Sequence, residues 1–338
     1  MAVLELRNLH IEYRTAAGAA HAVDDVSFAI EKGEYLGLVG ESGCGKSTIA
    51  KAIMGILPRN GRVTAGEILY QGRDIAHLPP AELNTVRWRE IALVPQSAMN
   101  GFDPVYTIER QILEAIDTHV DWTAAQKRAR IDEMFRLVGL ERGRLRDYPH
   151  QFSGGMRQRA MIAMAMVLDP NLVVADEPTT GLDVIVQDQI LYRIKQIHTQ
   201  LDKTMLLITH DMAVVAENCD RIAVMYAGKL VEYGAHDVFE RPFHPYTMGL
   251  CNAFPDLADA GRDLISIPKA PPSLLALPRG CRFAERCPFA TELCRNEMPP
   301  LLEVRAGHAA ACHYVDRAAE FRERARRIET WQQDAAAA

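Results

Sequence analysis

A glycine-rich segment that ends in lysine and serine is the clearest chemical signal in the sequence. It reads Gly40-Glu-Ser-Gly-Cys-Gly-Lys46-Ser47, the pattern G-x-x-x-x-G-K-S, and it lies between a predicted strand and a predicted helix. In such a loop, backbone N–H groups surround phosphate oxygens, the lysine reaches the terminal phosphates, and the serine hydroxyl binds Mg²⁺. The residues predicted to form this phosphate site are Gly40, Ser42, Gly43, Cys44, Gly45, Lys46, Ser47 and Thr48.

Two adjacent carboxylates follow a second apolar segment. The run Leu172-Val-Val-Ala leads directly into Asp176 and Glu177, and the carboxyl ends of strands are where α/β sheets place their chemistry. We expect Asp176 to hold Mg²⁺ through water, and Glu177 to accept a proton from the water that attacks the γ-phosphate. Because strands ending in Asp-Glu are also common on solvated surfaces, this interpretation depends on the phosphate loop upstream.

A turn of Ser153, Gly154 and Gly155 precedes a helical pattern. The free N–H groups at the start of a helix form an anion site, so this turn is a second candidate phosphate surface. The chain has one nucleotide loop for two such surfaces. The second surface is therefore predicted to face ATP that another subunit binds.

The elements around these residues predict an α/β fold. Alternating apolar and polar residues from Leu4 to about Ile30 predict antiparallel strands with one face open to water. Short apolar runs predict buried parallel strands at 35–39, 91–94, 172–175 and 205–208. Helical patterns separate these runs and lie at 47–57, 124–140, 156–168 and 186–201.

Composition limits the classes of protein that fit. The 338 residues carry a formal net charge of -6, which argues against a protein that coats nucleic acid. Glu5 and Arg7 interrupt the start of the chain, so no secretory signal is predicted and we expect a cytoplasmic location. The apolar run at 160–168 is about half of the roughly 20 residues that span a bilayer, so no membrane span is expected.

Prolines become frequent beyond residue 240, which predicts a domain boundary there. We expect residues 241–338 to form a small, loop-rich module closed by a charged helix over 315–333. Four cysteines fall in this module, at Cys281, Cys287, Cys294 and Cys312. An odd total of seven cysteines and the absence of an export signal favour metal ligation over disulfides. Four thiolates can hold Zn²⁺ or an iron–sulfur cluster. His308 and His313 are possible substitute ligands and keep the zinc interpretation open. Four unligated buried thiols are a third interpretation.

Over roughly residues 1–240 the motifs together resemble the ATP-binding cassette (ABC) family. The phosphate loop, the Ser-Gly-Gly turn and the Asp-Glu pair are part of this resemblance. It also includes Gln96 after a strand, Gly181-Leu182-Asp183 and Thr209-His210. It implies a P-loop NTPase core with a mixed sheet, an antiparallel β subdomain, and a helical subdomain at approximately 97–168.

Further site roles are implied by the same resemblance. Gln96 is expected to sense Mg²⁺ and the transmembrane partner, Asp183 to lie at the dimer seam, His210 to touch the γ-phosphate, and Tyr13 to stack on adenine. One departure from the family pattern is Met156, where glutamine is more frequent after Ser-Gly-Gly, and Phe152 replaces a leucine. Because the backbone and Ser153 do the phosphate work, we expect activity to survive.

Three longer segments resemble the ATPase subunits of bacterial dipeptide and oligopeptide importers, of the type with a C-terminal cysteine module. They lie at Tyr148–Arg159, Arg241–Thr247 and Gly280–Pro288. The resemblance implies a second, different ATPase subunit, two transmembrane permeases and an extracytoplasmic solute-binding protein. It also implies a peripheral location at the cytoplasmic face of the bacterial inner membrane, and it favours a 4Fe–4S cluster over Zn²⁺ at the four cysteines.

The expected activity is ATP hydrolysis that drives uptake of dipeptides or oligopeptides through closure of a head-to-tail dimer. Relatives of this kind also carry nickel chelates and other solutes, so the cargo stays open. A non-transport ATPase acting on DNA or ribosomes is less favoured, because it predicts a second cassette, a long coiled coil or a basic surface, and the sequence has none of these. A redox sensor with ATPase output is a third hypothesis.

Overall fold

The computed structural model describes residues 2–96, 101–253 and 265–332. The predicted helical subdomain starts at 97, so its first four positions lie outside the described residues. Within the described ranges, no helix combines the length and the apolar character that crossing a membrane requires. The strands are β1 Ala2–Thr15, β2 Gly18–Glu31, β3 Tyr35–Val39, β4 Gly61–Tyr70, β5 Arg73–Asp74, β6 Ile91–Val94, β7 Leu172–Asp176, β8 Thr204–Thr209, β9 Arg221–Tyr226, β10 Lys229–Ala235, β11 Leu302–Arg305 and β12 His308–Ala310.

The antiparallel sheet has the order β2-β1-β4-β5. Alternation along β1 buries Leu4, Leu6, Leu9 and Ile11, while the residues between them are exposed or half-buried. This is the pattern of a strand with one face on the core and one toward water. The predicted antiparallel β region is confirmed.

The second sheet is mixed, with the order β11-β12-β10-β9-β3-β8-β7-β6 among the described strands. β6, β7, β8, β3 and β9 run parallel, whereas β10, β11 and β12 pair antiparallel. All residues of β3, β7 and β8 are buried, because helices cover one face of the parallel strands, and the antiparallel sheet together with the helix after the phosphate loop covers the other. The four predicted parallel strands and the α/β class are confirmed.

Helices pack against this sheet, and four of them overlap the four helical patterns predicted between the parallel strands. The first helix is shorter than the predicted 47–57, because Gly55 adopts a left-handed φ of 60° and Pro58 follows. The helices are α1 Lys46–Ile53, α2 Pro80–Val86, α3 Ile108–His119, α4 Ala124–Leu137, α5 Gly154–Met166, α6 Val184–Leu201, α7 Met212–Asn218, α8 Pro245–Ala253, α9 Glu292–Asn296, α10 Ala318–Ala325 and α11 Ile328–Gln332.

A helical layer of α3 and α4 packs on α5 between β6 and β7. Thr107 caps α3, and Thr123 forms a capping box with Gln126 at the start of α4. Ile112 and Phe135 bury their side chains in the same core as α5.

The C-terminal segment is continuous with the main sheet. β12 pairs with β10, where Tyr233 lies opposite Ala309, and α10 packs against α8. A single helix over 315–333 is wrong for the described residues up to 332. A 3₁₀ turn at Val315–Arg317 precedes α10, and residues 326–327 separate α10 from α11.

Candidate functional site

The phosphate loop connects the end of β3 to the start of α1. Gly45 has a φ of 110°, and a Cβ there would lie 2.3 Å from the carbonyl oxygen of Ala22, so only glycine fits. The Lys46 ammonium is buried and donates hydrogen bonds to the carbonyl oxygens of Gly40 at 2.6 Å and Glu41 at 3.1 Å. The loop therefore holds its lysine in the curve that the sequence predicts.

The strand that carries Asp176, β7, ends beside the phosphate loop. The Ser47 hydroxyl donates a hydrogen bond of 2.8 Å to Oδ1 of Asp176, which ends β7. Burial raises the pKa of the Asp176 carboxyl, and the bond from Ser47 opposes this in part. Two hard oxygen donors thus lie side by side, which is the donor set that Mg²⁺ prefers.

Glu177 turns away from its neighbour Asp176, because its backbone takes a left-handed φ of 46°. Its carboxylate accepts hydrogen bonds from the Gln96 amide at 2.7 Å and the Thr180 hydroxyl at 2.9 Å, and Nδ1 of His210 lies 3.4 Å away. Burial acts to raise the pKa of Glu177, but the bonds from Thr180 and His210 outweigh it and leave the pKa lowered. The group is held as an anion at the mouth of the site.

Glu177, His210 and the start of the phosphate loop border an open cleft of about 420 Å³. Its described lining consists of Gly40, Glu41, Ser42, Glu177, His210, Met212, Leu250 and Ala253. The last two residues belong to α8, beyond the predicted boundary at 240.

Tyr13 lies on β1 beside the helix that follows the loop. Its hydroxyl is 3.2 Å from Oγ1 of Thr48, and Gly61 on β4 packs against its ring. The side chain is half-buried, so one part of the ring borders solvent next to the phosphate loop.

Ser153 and Asp183 both cap helices. The Ser153 hydroxyl accepts from the Met156 N–H at 3.3 Å, and the Asp183 carboxylate accepts from the Val186 N–H at 3.0 Å. A Cβ on Gly155 would lie 2.4 Å from Cγ1 of Val186, so α5 and α6 pack closely here. Neither cap is among the described residues that line the cleft at the phosphate loop.

The structure brings all four C-terminal cysteines to one small apolar cavity of about 20 Å³. The four thiols are free, and burial raises the pKa of Cys281 to about 11, of Cys312 to about 12, and of Cys287 well above its usual value. Within the described ranges no group of three or more His, Cys, Asp or Glu side chains is arranged to hold a metal ion.

The two histidines near the cysteine cavity differ in their surroundings. His313 lines the cavity, and its Nε2 lies 3.0 Å from the carbonyl oxygen of Glu297. His308 instead lies with Nε2 2.7 Å from the buried carboxylate of Glu232 and is not among the residues lining the cavity. The structure therefore gives no support to His308 as a substitute zinc ligand.

Comparison with known proteins identifies the family. Residues 23–180 match the ABC transporter family, and residues 231–294 match the oligopeptide/dipeptide transporter C-terminal region. The chain is 44% identical to the oligopeptide transport ATP-binding protein OppD of Salmonella typhimurium over 313 residues, 92% of this chain and 93% of the relative. The chain belongs to the ABC transporter ATPases.

Other members of the ABC family support the same assignment. The dipeptide transport ATP-binding protein DppD of Bacillus subtilis is 43% identical over 94% of this chain and 96% of its own length. The dimeric bacterial ABC transporter cassette MJ0796 superposes with a TM-score of 0.62 at 28% identity, covering 69% of this chain and 98% of that one. As an ABC ATPase, the chain hydrolyses ATP with Mg²⁺.

Contacts from beyond residue 240 to the phosphate loop of this ABC ATPase were not predicted from the sequence. The guanidinium of Arg286 contacts the carboxylate of Glu41, and the hydroxyl of Tyr246 accepts from the Glu41 N–H. Glu41 occupies a variable position of the loop pattern, and the sequence gives no signal that pairs it with residues about two hundred positions away.

Proposed function

We propose that this chain is the ATP-hydrolysing subunit of a bacterial importer for oligopeptides or dipeptides. The observation that carries the proposal is the Glu177 carboxylate, held by Gln96 and His210 at a cleft that the phosphate loop borders. The cargo is inferred from relatives named as oligopeptide and dipeptide transport proteins, which align over more than nine tenths of the chain.

The phosphate loop is proposed to bind the triphosphate of ATP. Lys46 would exchange its present carbonyl partners for the β- and γ-phosphate oxygens, and the backbone N–H groups of the loop would surround them. Its proposed phosphate-binding residues are Gly40, Ser42, Gly43, Cys44, Gly45, Lys46, Ser47 and Thr48. Tyr13 would stack on adenine from the adjacent strand.

Ser47, Asp176 and Gln96 are the proposed Mg²⁺ residues, the carboxylate acting through water. The ion would neutralise charge on the phosphates when bound. Glu177 would orient the attacking water and take its proton, and its lowered pKa keeps it ready to accept one. His210, beside Glu177, would contact the γ-phosphate.

The second phosphate surface is proposed to act in a dimer. Ser153, Gly154 and Gly155 would close over ATP bound by a second ATPase subunit, with Asp183 at the seam. Such an interface is favourable only while the γ-phosphate bridges it, so hydrolysis would reopen the dimer. We infer a heterodimer, with two permeases and an extracytoplasmic binding protein as the remaining partners.

The location proposed for the chain is the cytoplasmic face of the inner membrane, where the permeases would supply the membrane path. Gln96 donates a hydrogen bond to the proposed base Glu177 and immediately precedes residues 97–100 in the sequence, which fall outside the described part of the chain. A permease that displaced the Gln96 side chain would therefore alter the setting of the base.

We further propose that Cys281, Cys287, Cys294 and Cys312 hold a 4Fe–4S cluster. Four thiols from separate segments around one cavity match the Cys₄ donor set. Zn²⁺ is the alternative, because four cysteine thiolates are also a common donor set for structural zinc. A bound cluster would join four segments of a loop-rich region without disulfides.

Transport in a reconstituted system tests the proposed function. Membrane vesicles containing the chain, its permeases and partner ATPase, with the binding protein outside, should take up labelled dipeptide or oligopeptide when ATP is enclosed. The same vesicles with Lys46→Ala should take up none, whereas Lys32→Ala, an exposed lysine before β3, should match the wild type. Uptake of a nickel chelate but no peptide would replace the peptide assignment.

A further inference from the structure

A buried arginine among the four C-terminal cysteines, within residues 281–312, contacts the phosphate loop directly. Arg286 lies next to Cys287 and is only 6% exposed. Its Nη1 donates to one carboxylate oxygen of Glu41 at 2.7 Å, and its Nη2 donates to the other at 3.0 Å. Glu41 is the second residue of the loop, so a two-pronged ion pair joins the C-terminal segment to the phosphate site.

The other contacts of Arg286 fix the guanidinium in place. Nε donates to the carbonyl oxygen of Pro268 at 2.8 Å, and Nη1 also donates to the Tyr226 hydroxyl at 3.2 Å. A planar guanidinium that is hydrogen-bonded on both edges fixes the position of a carboxylate more closely than a flexible ammonium group can. The arginine is therefore a rigid support for Glu41.

The backbone of Glu41 is held from the same side. Its N–H donates a hydrogen bond of 2.9 Å to the hydroxyl of Tyr246, which is fully buried on α8. The Tyr246 ring packs against Tyr226 and Phe283 at centroid distances of 4.6 and 5.4 Å. Residues beyond 240 thus fix both the side chain and the main chain of this loop position.

Glu41 is linked in turn to the lysine of the loop. The carbonyl oxygen of Glu41 accepts a hydrogen bond of 3.1 Å from Lys46, and Glu41 itself borders the cleft. A shift of Glu41 would therefore move an atom that Lys46 contacts and change the curve that receives the phosphates.

We propose that Arg286 is a positioning residue for the phosphate loop, through which the C-terminal segment sets the affinity for ATP. The inference rests on the proposed function only in taking ATP as the nucleotide. Removing Arg286 leaves the half-buried Glu41 carboxylate without the cation that fixes its position. The loop then populates its nucleotide-binding conformation less, which weakens the affinity for ATP. The effect is on the binding of nucleotide and not on the attack by water.

Affinity for MgATP, measured by isothermal titration calorimetry on the full chain, tests the proposal. Arg286→Met should raise Kd on the order of tenfold, as should Glu41→Gln, and the double variant should be no weaker than either single one because both remove the same contact. Arg286→Lys should recover part of the affinity, since it keeps the charge but not the fork. The KM for ATP should rise with Kd, and kcat should change less.

Arg305→Met is the matched control. Arg305 is another C-terminal arginine, paired with Asp237 at 2.5 Å and not in contact with the loop. Its loss should lower the melting temperature without changing Kd. A wild-type Kd in folded Arg286→Met, or an equal rise in Arg305→Met, would overturn the proposal.

Glu41→Gln provides the same test if Arg286→Met does not fold. Failure of the proposed function is separate from failure of this inference. If the wild type binds MgATP but moves no peptide, the cargo is wrong and the Arg286 test still stands.

Discussion

The side-chain amide of Gln96 donates a hydrogen bond of 2.7 Å to Oε2 of Glu177, the same oxygen that accepts from Thr180 at 2.9 Å. One oxygen of the proposed base is thus hydrogen-bonded to Gln96, which follows β6 in the chain. Displacing Gln96 would remove one of the two hydrogen bonds that this oxygen accepts. This pair gives a physical route by which a permease could control hydrolysis.

Glu177→Gln should separate ATP binding from hydrolysis. The amide keeps the size of the carboxylate, and its oxygen can still accept from Gln96 and Thr180, but it cannot take a proton, so kcat should fall by about 10²–10⁴-fold. The Kd for MgATP should stay within about twofold of the wild type. Glu217→Gln, an exposed carboxylate on α7, is the matched control and should hydrolyse normally. Normal turnover in Glu177→Gln would remove Glu177 from the role of base.

Gly155→Ala should destabilise the contact between α5 and α6, because its Cβ would lie 2.4 Å from Cγ1 of Val186. Overpacking of this kind costs about 1–3 kcal/mol, which differential scanning calorimetry would show as a lower melting temperature. The double variant Gly155→Ala, Val186→Ala should regain most of the loss. Gly154→Ala is a milder control, since its nearest neighbour is the flexible end of Leu182 at 3.1 Å. Equal melting temperatures for Gly155→Ala and the wild type would contradict this packing.

Anaerobically purified protein should contain iron and acid-labile sulfide in equal amounts, about four of each per chain, as a 4Fe–4S cluster requires. Cys287→Ser should lose both, because it removes one of the four thiols that line the cavity. Cys251→Ser is the control: its thiol lies 3.6 Å from the carbonyl oxygen of Phe239, and it does not line that cavity. One zinc per chain without sulfide would rule out the cluster in favour of the alternative.

His244 should make the fold sensitive to acid. Burial lowers its pKa from the ordinary 6.5 to about 3, and its Nδ1 accepts a hydrogen bond from the Tyr246 N–H. Between these two pKa values the unfolded chain binds a proton that the folded chain does not. The stability contributed by neutral His244 is therefore complete above pH 6.5 and falls on acidification by about 1.4 kcal/mol per pH unit.

Melting temperatures measured at pH 7.5, 6 and 5 would check this slope. His244→Asn supplies an acceptor near the position of Nδ1 but does not titrate, so its melting temperature should fall less than that of the wild type as pH is lowered. Parallel curves for the two proteins would show that His244 does not carry the effect.

Local patterns predicted the central fold because burial on both faces leaves a direct mark on sequence. The runs that end at Val39 and Ala175 are short, apolar and followed by polar residues, and both form parallel strands of the mixed sheet, on either side of β8. Since the carboxyl ends of parallel strands meet at one edge, the sequence also indicated that Ser47 and Asp176 lie close together.

Pairings between residues far apart in the chain left no comparable pattern in the sequence. The joining of β12 to β10 and the ion pair between Arg286 and Glu41 both connect segments far apart in the chain, and nothing in their local composition specifies the partner. The sequence predicted one charged helix over 315–333 but not the break between Ala325 and Ile328. Tertiary packing decided these features.

The most direct test of the central claim is the ATPase rate in reconstituted vesicles, with and without peptide-loaded binding protein. The account predicts that loaded binding protein raises the rate, and that Glu177→Gln abolishes the rate while MgATP still binds. A rate that ignores the loaded binding protein, or that persists in Glu177→Gln, would contradict an importer ATPase that uses Glu177 as its base.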